Sequence, residues 1–180
     1  MALYTVGHGN RSLDDLAVIL AEGNVGRLAD VRRFPGSRRH PHFSREALEA
    51  ELPARGVDYE WWGEALGGRR SPEPDSRHPA WRDAGFRGYA DHMDGAEFRQ
   101  TLTGLLAAAA GERVVAVMCA EILWWRCHRR LIADASVVRG TPVIHLLASG
   151  RSQSHPRNAA LRVGADGWPV YDVGVDRPLW

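Results

Sequence analysis

Apolar and polar positions along this chain follow two periods, and the change from one to the other marks out strands and helices. Leu3 to Val6 is a short apolar run, read as a strand ending in Gly7-His8-Gly9-Asn10. Ser12 then stands as a helix cap with Asp14 and Asp15 in the first turn. Leu13, Leu16, Ile19 and Leu20 recur at helical spacing until Gly23 and Asn24. Arg27 to Val31 is a second strand, leaving at Arg32-Arg33-Phe34-Pro35. Strand, helix and strand in so short a span form a βαβ unit, which implies a parallel sheet and a right-handed crossover.

The same periods continue downstream. Glu46 to Leu52 reads as a helix capped by Ser44, and Val57 to Trp61 as a third strand. Arg69 to Asp83 holds three prolines and many charges, the composition of a long surface loop. Helices follow over Phe86 to His92 and Glu97 to Ala110, the second with Phe98, Leu102, Leu105 and Leu106 on its apolar face. Val114 to Cys119 is a β-branched run suited to a buried central strand. It breaks at once into thiol, carboxylate, imidazole and guanidinium groups, and a helix is expected from about Cys127 to Val138. Gly140 stops that helix, and Thr141 to Leu147 is another parallel-type strand. The tail is turn-rich, with a closing strand expected at Val170 to Val173. The expectation is one α/β domain over residues 1–180, a mainly parallel, Rossmann-like sheet flanked by helices, with its core in 3–147 and a tail in 148–180.

Composition narrows the function classes. A 180-residue chain that is 44% hydrophobic and 25% charged can bury a full core. Its net charge of +1 gives no global pull toward nucleic acid or membrane. All 23 basic side chains are arginine, so every cationic contact is a planar guanidinium, a group suited to phosphate and carboxylate. Two cysteines do not make a disulfide scaffold at this length. The N-terminus lacks the pattern of a signal peptide, and no apolar segment is long enough to span a bilayer. A cytoplasmic setting without membrane contact is expected.

The polar residues fall at strand ends. The first strand ends in His8 and Asn10, the second in Asp30 and Arg32, the central one in Cys119 and Glu121, and a later strand carries His145. In a parallel sheet these groups gather along one edge, where open α/β sheets bind ligands. Cys119 is a candidate nucleophile or orienting thiol, with Glu121 and His128 as acid/base candidates and Asp30 as the group that orients an imidazole or guanidinium. His8, Asn10, Arg32, Arg38 and Arg129 are the candidate substrate-binding residues. A phosphatase loop of the Cys-x5-Arg kind would need arginine where Trp125 stands, and the two cysteines are too far apart for a redox Cys-x-x-Cys pair.

Five motifs in order carry a family resemblance. They are Thr5-Val-Gly-His8-Gly-Asn10-Arg11-Ser12, Asp30-Val-Arg32, Pro35-x-Ser37-Arg38-Arg39, Leu66-Gly67-Gly68, and Cys119-Ala-Glu121 with Cys127-His128-Arg129. Together they resemble domain-of-unknown-function family 488 from about Leu3 to His145, with Gly9 where a serine is common. The resemblance implies an α/β fold with these motifs around one pocket and brings no activity with it.

The expected function is a thiol-assisted hydrolase or transferase acting on a phosphate-bearing substrate, a nucleotide or a nucleic-acid component, with no cofactor. Two alternatives stand beside it. One is a non-catalytic module gripping single-stranded nucleic acid through Arg32, Arg33, Arg38 and Arg39 with Phe34 and Phe43. The other is a metal-binding protein using Cys119, Cys127 and His128, although their spacing fits no structural zinc pattern.

Overall fold

In the computed structural model, which describes residues 1–36 and 39–174, the elements run in this order. β1 (Leu3–Gly7) leads to α1 (Leu13–Glu22), β2 (Val25–Asp30), α2 (Arg45–Glu51), β3 (Asp58–Trp61) and the single turn α3 (Gly63–Leu66). Next come α4 (Ala84–Met93), α5 (Ala96–Ala110), β4 (Val114–Cys119), α6 (Arg129–Val138) and β5 (Val143–Ala148). The tail adds β6 (Arg151–Ser154), β7 (Leu161–Val163) and β8 (Pro169–Tyr171). Local chemistry sets the helix starts. Ser12 and Asp15 close a reciprocal capping box on α1, and the Ser44 side chain accepts from Ala47 N to cap α2.

Six strands form one sheet in the order β3-β2-β4-β1-β5-β6. The first five in that list are mutually parallel, and β6 is an antiparallel edge. The sheet separates two cores. α1 and α2 pack Leu16, Ile19, Leu20, Leu48 and Leu52 on one face, and α4, α5 and α6 pack Tyr89, Phe98, Leu102, Leu105, Leu131 and Ile132 on the other. The helix after β1 therefore lies on the opposite face from the helix after β4, although the two strands are neighbours. Chains that leave adjacent strands toward opposite faces open a crevice at the carboxyl edge, which is the topological switch point of this sheet.

The tail differs from the expectation. Pro169–Tyr171 pairs with Leu161–Val163 in a separate two-stranded ribbon and does not close the main sheet. It packs instead over the α4–α6 core through Trp168 and Tyr171. The sheet edge is taken by Arg151–Ser154, which has no apolar side chain and is exposed throughout. A polar strand on a solvated edge carries no hydrophobic period, and it covers β5 with a row that does not attract another strand. Among the described residues no helix is long and apolar enough to cross a membrane.

Candidate functional site

A cleft of about 1080 Å³ opens at the switch point between β1 and β4. Its depth comes from close backbone approach. Gly7, the last residue of β1, lies so near the chain beyond β4 that a Cβ there would fall 2.1 Å from Glu121 O. Only glycine permits that contact. His8 N and Gly9 N donate to Cys119 O and Ala120 O, which ties the two strand exits together.

Cys119, Cys127 and His128 meet on the cleft floor. Cys127 Sγ lies 3.6 Å from His128 Nδ1 and Cys119 Sγ 3.9 Å from it. The other ring nitrogen, Nε2, donates to Val31 O at 3.1 Å, so Nδ1 turns its lone pair toward the sulfurs. The two thiols are unequal. The neighbouring Cys127 thiol and burial raise the Cys119 pKa well above its ordinary value. Burial opposes ionisation of Cys127, but the neighbouring Cys119 and His128 groups and the Arg129 charge outweigh it and hold the Cys127 pKa well below its ordinary value. Both cysteines are free thiols.

A second group occupies the neighbouring wall. Asp30 is fully buried and accepts from Arg32 Nε at 2.9 Å, from Arg32 NH2 at 2.6 Å and from Tyr59 OH at 2.7 Å. Burial and the Asp30 carboxylate raise the Tyr59 pKa, which keeps that hydroxyl a donor. Arg32 NH1 donates to His8 Nε2 at 3.1 Å, while His8 Nδ1 donates to Gly9 O at 2.9 Å. Burial and the Arg32 charge lower the His8 pKa to about 4, so the ring is neutral near pH 7. It stacks on Phe43 at 4.2 Å.

The strand-end candidates other than His145 converge. His8, Asn10, Arg32, Cys119, Glu121 and His128 all line the cleft, and Asp30 lies directly behind Arg32. Glu121 is exposed, and its carboxylate accepts from Leu123 N at 3.3 Å. Arg129 sits elsewhere than expected. It is 1% exposed, behind the thiols, donating Nε to Cys127 Sγ at 3.4 Å and NH2 to Glu121 O. The first turn of α6 is also partly spoken for, since Arg130 N and Leu131 N donate to Cys127 O and His128 O. His145 is buried away from the cleft, stacked on Trp124 at 4.2 Å. Arg38 lies outside the described residues.

Other residues line the cleft as well, and of these Arg39 and Phe34 belong to the arginine–aromatic loop that the sequence offers to nucleic acid. Arg39, Arg69 and Arg126 line the cleft, and Phe34, 63% exposed, stands among them with the Arg33 guanidinium 5.5 Å and the Arg69 guanidinium 6.0 Å from its ring centre. Arg69 and Phe86, which also line the cleft, belong to segments that the sequence reads only as loop and helix. The one usable signal was Arg69 immediately after Gly67-Gly68, where a non-glycine residue takes φ 59°.

The model of the family described as domain of unknown function DUF488 matches residues 12–136. That span includes Asp30-Val-Arg32, Leu66-Gly67-Gly68 and the Cys119-to-Arg129 segment, and begins just after His8 and Asn10. No curated protein and no solved structure matches the chain significantly.

Proposed function

The chain belongs to the DUF488 family, whose description carries no activity, and from the site itself we propose a thiol-assisted hydrolase or transferase acting on a phosphate-bearing substrate. The observation that carries this reading is a single juxtaposition. Cys119, Cys127 and His128 lie together on the floor of a cleft that Arg32, Arg39, Arg69 and Arg126 also line, against the acids Asp83 and Glu121. Guanidinium groups supply planar, charge-assisted contacts to phosphate oxygens, and a cleft with low-dielectric walls strengthens them.

The roles follow from the geometry. The two thiols and the His128 Nδ1 are the reacting centre. Arg32 is an anion contact held in place by Asp30, which is a positioning residue. Glu121, exposed in the cleft, is the acid/base group free to meet a substrate. Asn10 and His8 border the same space. The exposed ring of Phe34 suits a base, which favours a nucleotide or nucleic-acid component. Two free thiols suit a reducing, cytoplasmic compartment.

The test is turnover of a panel of nucleotides, phosphate esters and short oligonucleotides, read by phosphorus NMR, with affinities measured in parallel. Cys127→Ser is expected to abolish turnover and keep binding. Arg126→Ala is expected to weaken binding about 10- to 100-fold, as loss of a charge-assisted contact does. Salt-dependent binding without turnover, unchanged in Cys127→Ser, would reverse the reading in favour of a nucleic-acid-binding module.

A further inference from the structure

The thiol–imidazole group meets a second geometric test. Zinc holds cysteine sulfur at about 2.3 Å and histidine nitrogen at about 2.0–2.1 Å in a tetrahedron, so its sulfur and nitrogen corners lie about 3.6 Å apart. Here the two sulfur–nitrogen separations are 3.6 and 3.9 Å, and all three atoms fall within 4.8 Å of one another. Each sulfur is therefore spaced from the imidazole nitrogen much as two ligands on one ion are, and the three ligand atoms face a common point within 4.8 Å of one another. We infer that Cys119, Cys127 and His128 hold a divalent ion of the zinc class, with the fourth coordination position open to the cleft. This names the chemical group at the reacting centre proposed above, and rests on that reading for what the ion does there.

Independent features point the same way. A metal-ligating histidine typically donates its second ring N–H to a carbonyl, which fixes the tautomer and aims the other nitrogen at the ion. His128 Nε2 does this with Val31 O. The space beside Nδ1 is kept clear by Gly68, where a Cβ would sit 2.9 Å from that nitrogen. Gly68 lines the same cleft as the three ligand residues, so the open side faces the substrate space. Two thiolates and an imidazole are soft and borderline donors that select zinc over magnesium or calcium. Two thiolates also balance a divalent charge, and Arg129 Nε, 3.4 Å from Cys127 Sγ, supports the thiolate form. Among the described residues no other three such side chains bring one ligand atom each toward a common point as a metal site requires. A three-ligand site with one open position is the catalytic rather than the structural arrangement. An ion bound there would polarise a phosphoryl oxygen and acidify a water at the open position.

The test uses the full chain. Metal content is measured after purification without chelator, and metal-free protein is then titrated with zinc or cobalt alone. The expected result is about one ion per chain and, with cobalt, thiolate-to-metal charge-transfer absorption with tetrahedral band intensities. Cys119→Ser and Cys127→Ser should each lose that absorption, and Gly68→Ala should weaken zinc binding, with circular dichroism reporting the fold of each variant. The cobalt spectrum of the unaltered chain decides the matter even where a variant does not fold. A chain that purifies metal-free and shows no charge-transfer band with cobalt overturns the inference, as does a bound ion that survives both serine variants. Inorganic phosphate titrated into metal-free and loaded protein separates the two proposals. Phosphate binding without zinc uptake removes the ion and keeps the cleft. Zinc uptake without phosphate binding removes the phosphate reading and keeps the ion.

Discussion

Asp30 has no exposed surface, and it accepts bonds from the Arg32 backbone, the Arg32 guanidinium and the Tyr59 hydroxyl. Removing its charge leaves a guanidinium that is nearly as buried without a partner, and losing one member of a buried pair costs about 3–5 kcal/mol. Asp30→Asn is therefore expected to lower the urea-unfolding free energy by about that amount. Tyr59→Phe, which removes one bond to a charged group, should cost about 1.5–3 kcal/mol. Equal, negligible losses in both variants would mean that the pair does not hold Arg32. Asp30 beside Arg32 was legible in the sequence as an orienting pair at a strand end. Tyr59 was not, because its contact depends on β2–β3 register, in which Tyr59 pairs with Leu28. Nothing in one strand's own sequence shows which residue of its neighbour lies alongside.

The elements themselves were largely legible, for reasons that differ from one to the next. α1 and α2 announced themselves through serine caps and leucines at helical spacing, both local features. β4 stood out because a strand buried on both faces is apolar along its whole length. α6 starts at Arg129, two residues later than expected, because Cys127 and His128 are drawn to the cleft floor and the helix begins after them. β6 was silent because an exposed edge needs no apolar side chains. The ribbon of β7 and β8 was misplaced because a short apolar run does not reveal its partner. The β1–β4 contact gives the prediction at this scale. In Gly7→Ala the new Cβ meets the Glu121 backbone, which cannot swing aside as a side chain can. The strand exits should move apart, destabilising the fold by about 1–3 kcal/mol. The same change should lower reactivity at Cys119, read by alkylation of chelator-treated protein. An unperturbed melting curve with unchanged reactivity would contradict the close approach.

At the scale of the whole molecule, buried titratable groups tie the layers together and set the response to acid. Thr5 Oγ1 lies 2.6 Å from His145 Nδ1, His145 Nε2 lies 2.9 Å from His155 Nδ1, and His155 Nε2 lies 2.9 Å from Asp134. This chain joins β1, β5, α6 and the tail. Burial, with the neighbouring His155 and Arg129, lowers the His145 pKa to about 3, and His8 falls to about 4. Both rings are neutral in the fold and protonate near their ordinary 6.5 when it opens. Below that value the unfolded chain binds protons that the native chain refuses, so stability present at neutral pH is lost as pH falls. Asp94 acts in the same direction at lower pH. Although burial opposes it, His78 and Arg77 hold its pKa near about 2 against an ordinary 3.8, so its contribution is lost as pH falls through that range. The unfolding free energy should therefore decline steadily from about pH 6.5 downward. The slope should be shallower in His145→Asn, measured by urea titration at several pH values. A flat profile down to pH 4 would contradict buried neutral histidines.

The most direct test of a single reactive centre on the floor of an anion-binding cleft is site-resolved alkylation of Cys119 and Cys127 by mass spectrometry. The labelling is run before and after chelation, with and without inorganic phosphate. The predicted result is protection of both thiols until the chelator is added, then labelling that phosphate slows. Labelling indifferent to chelator and phosphate alike, or thiols that stay inert after chelation, would contradict it.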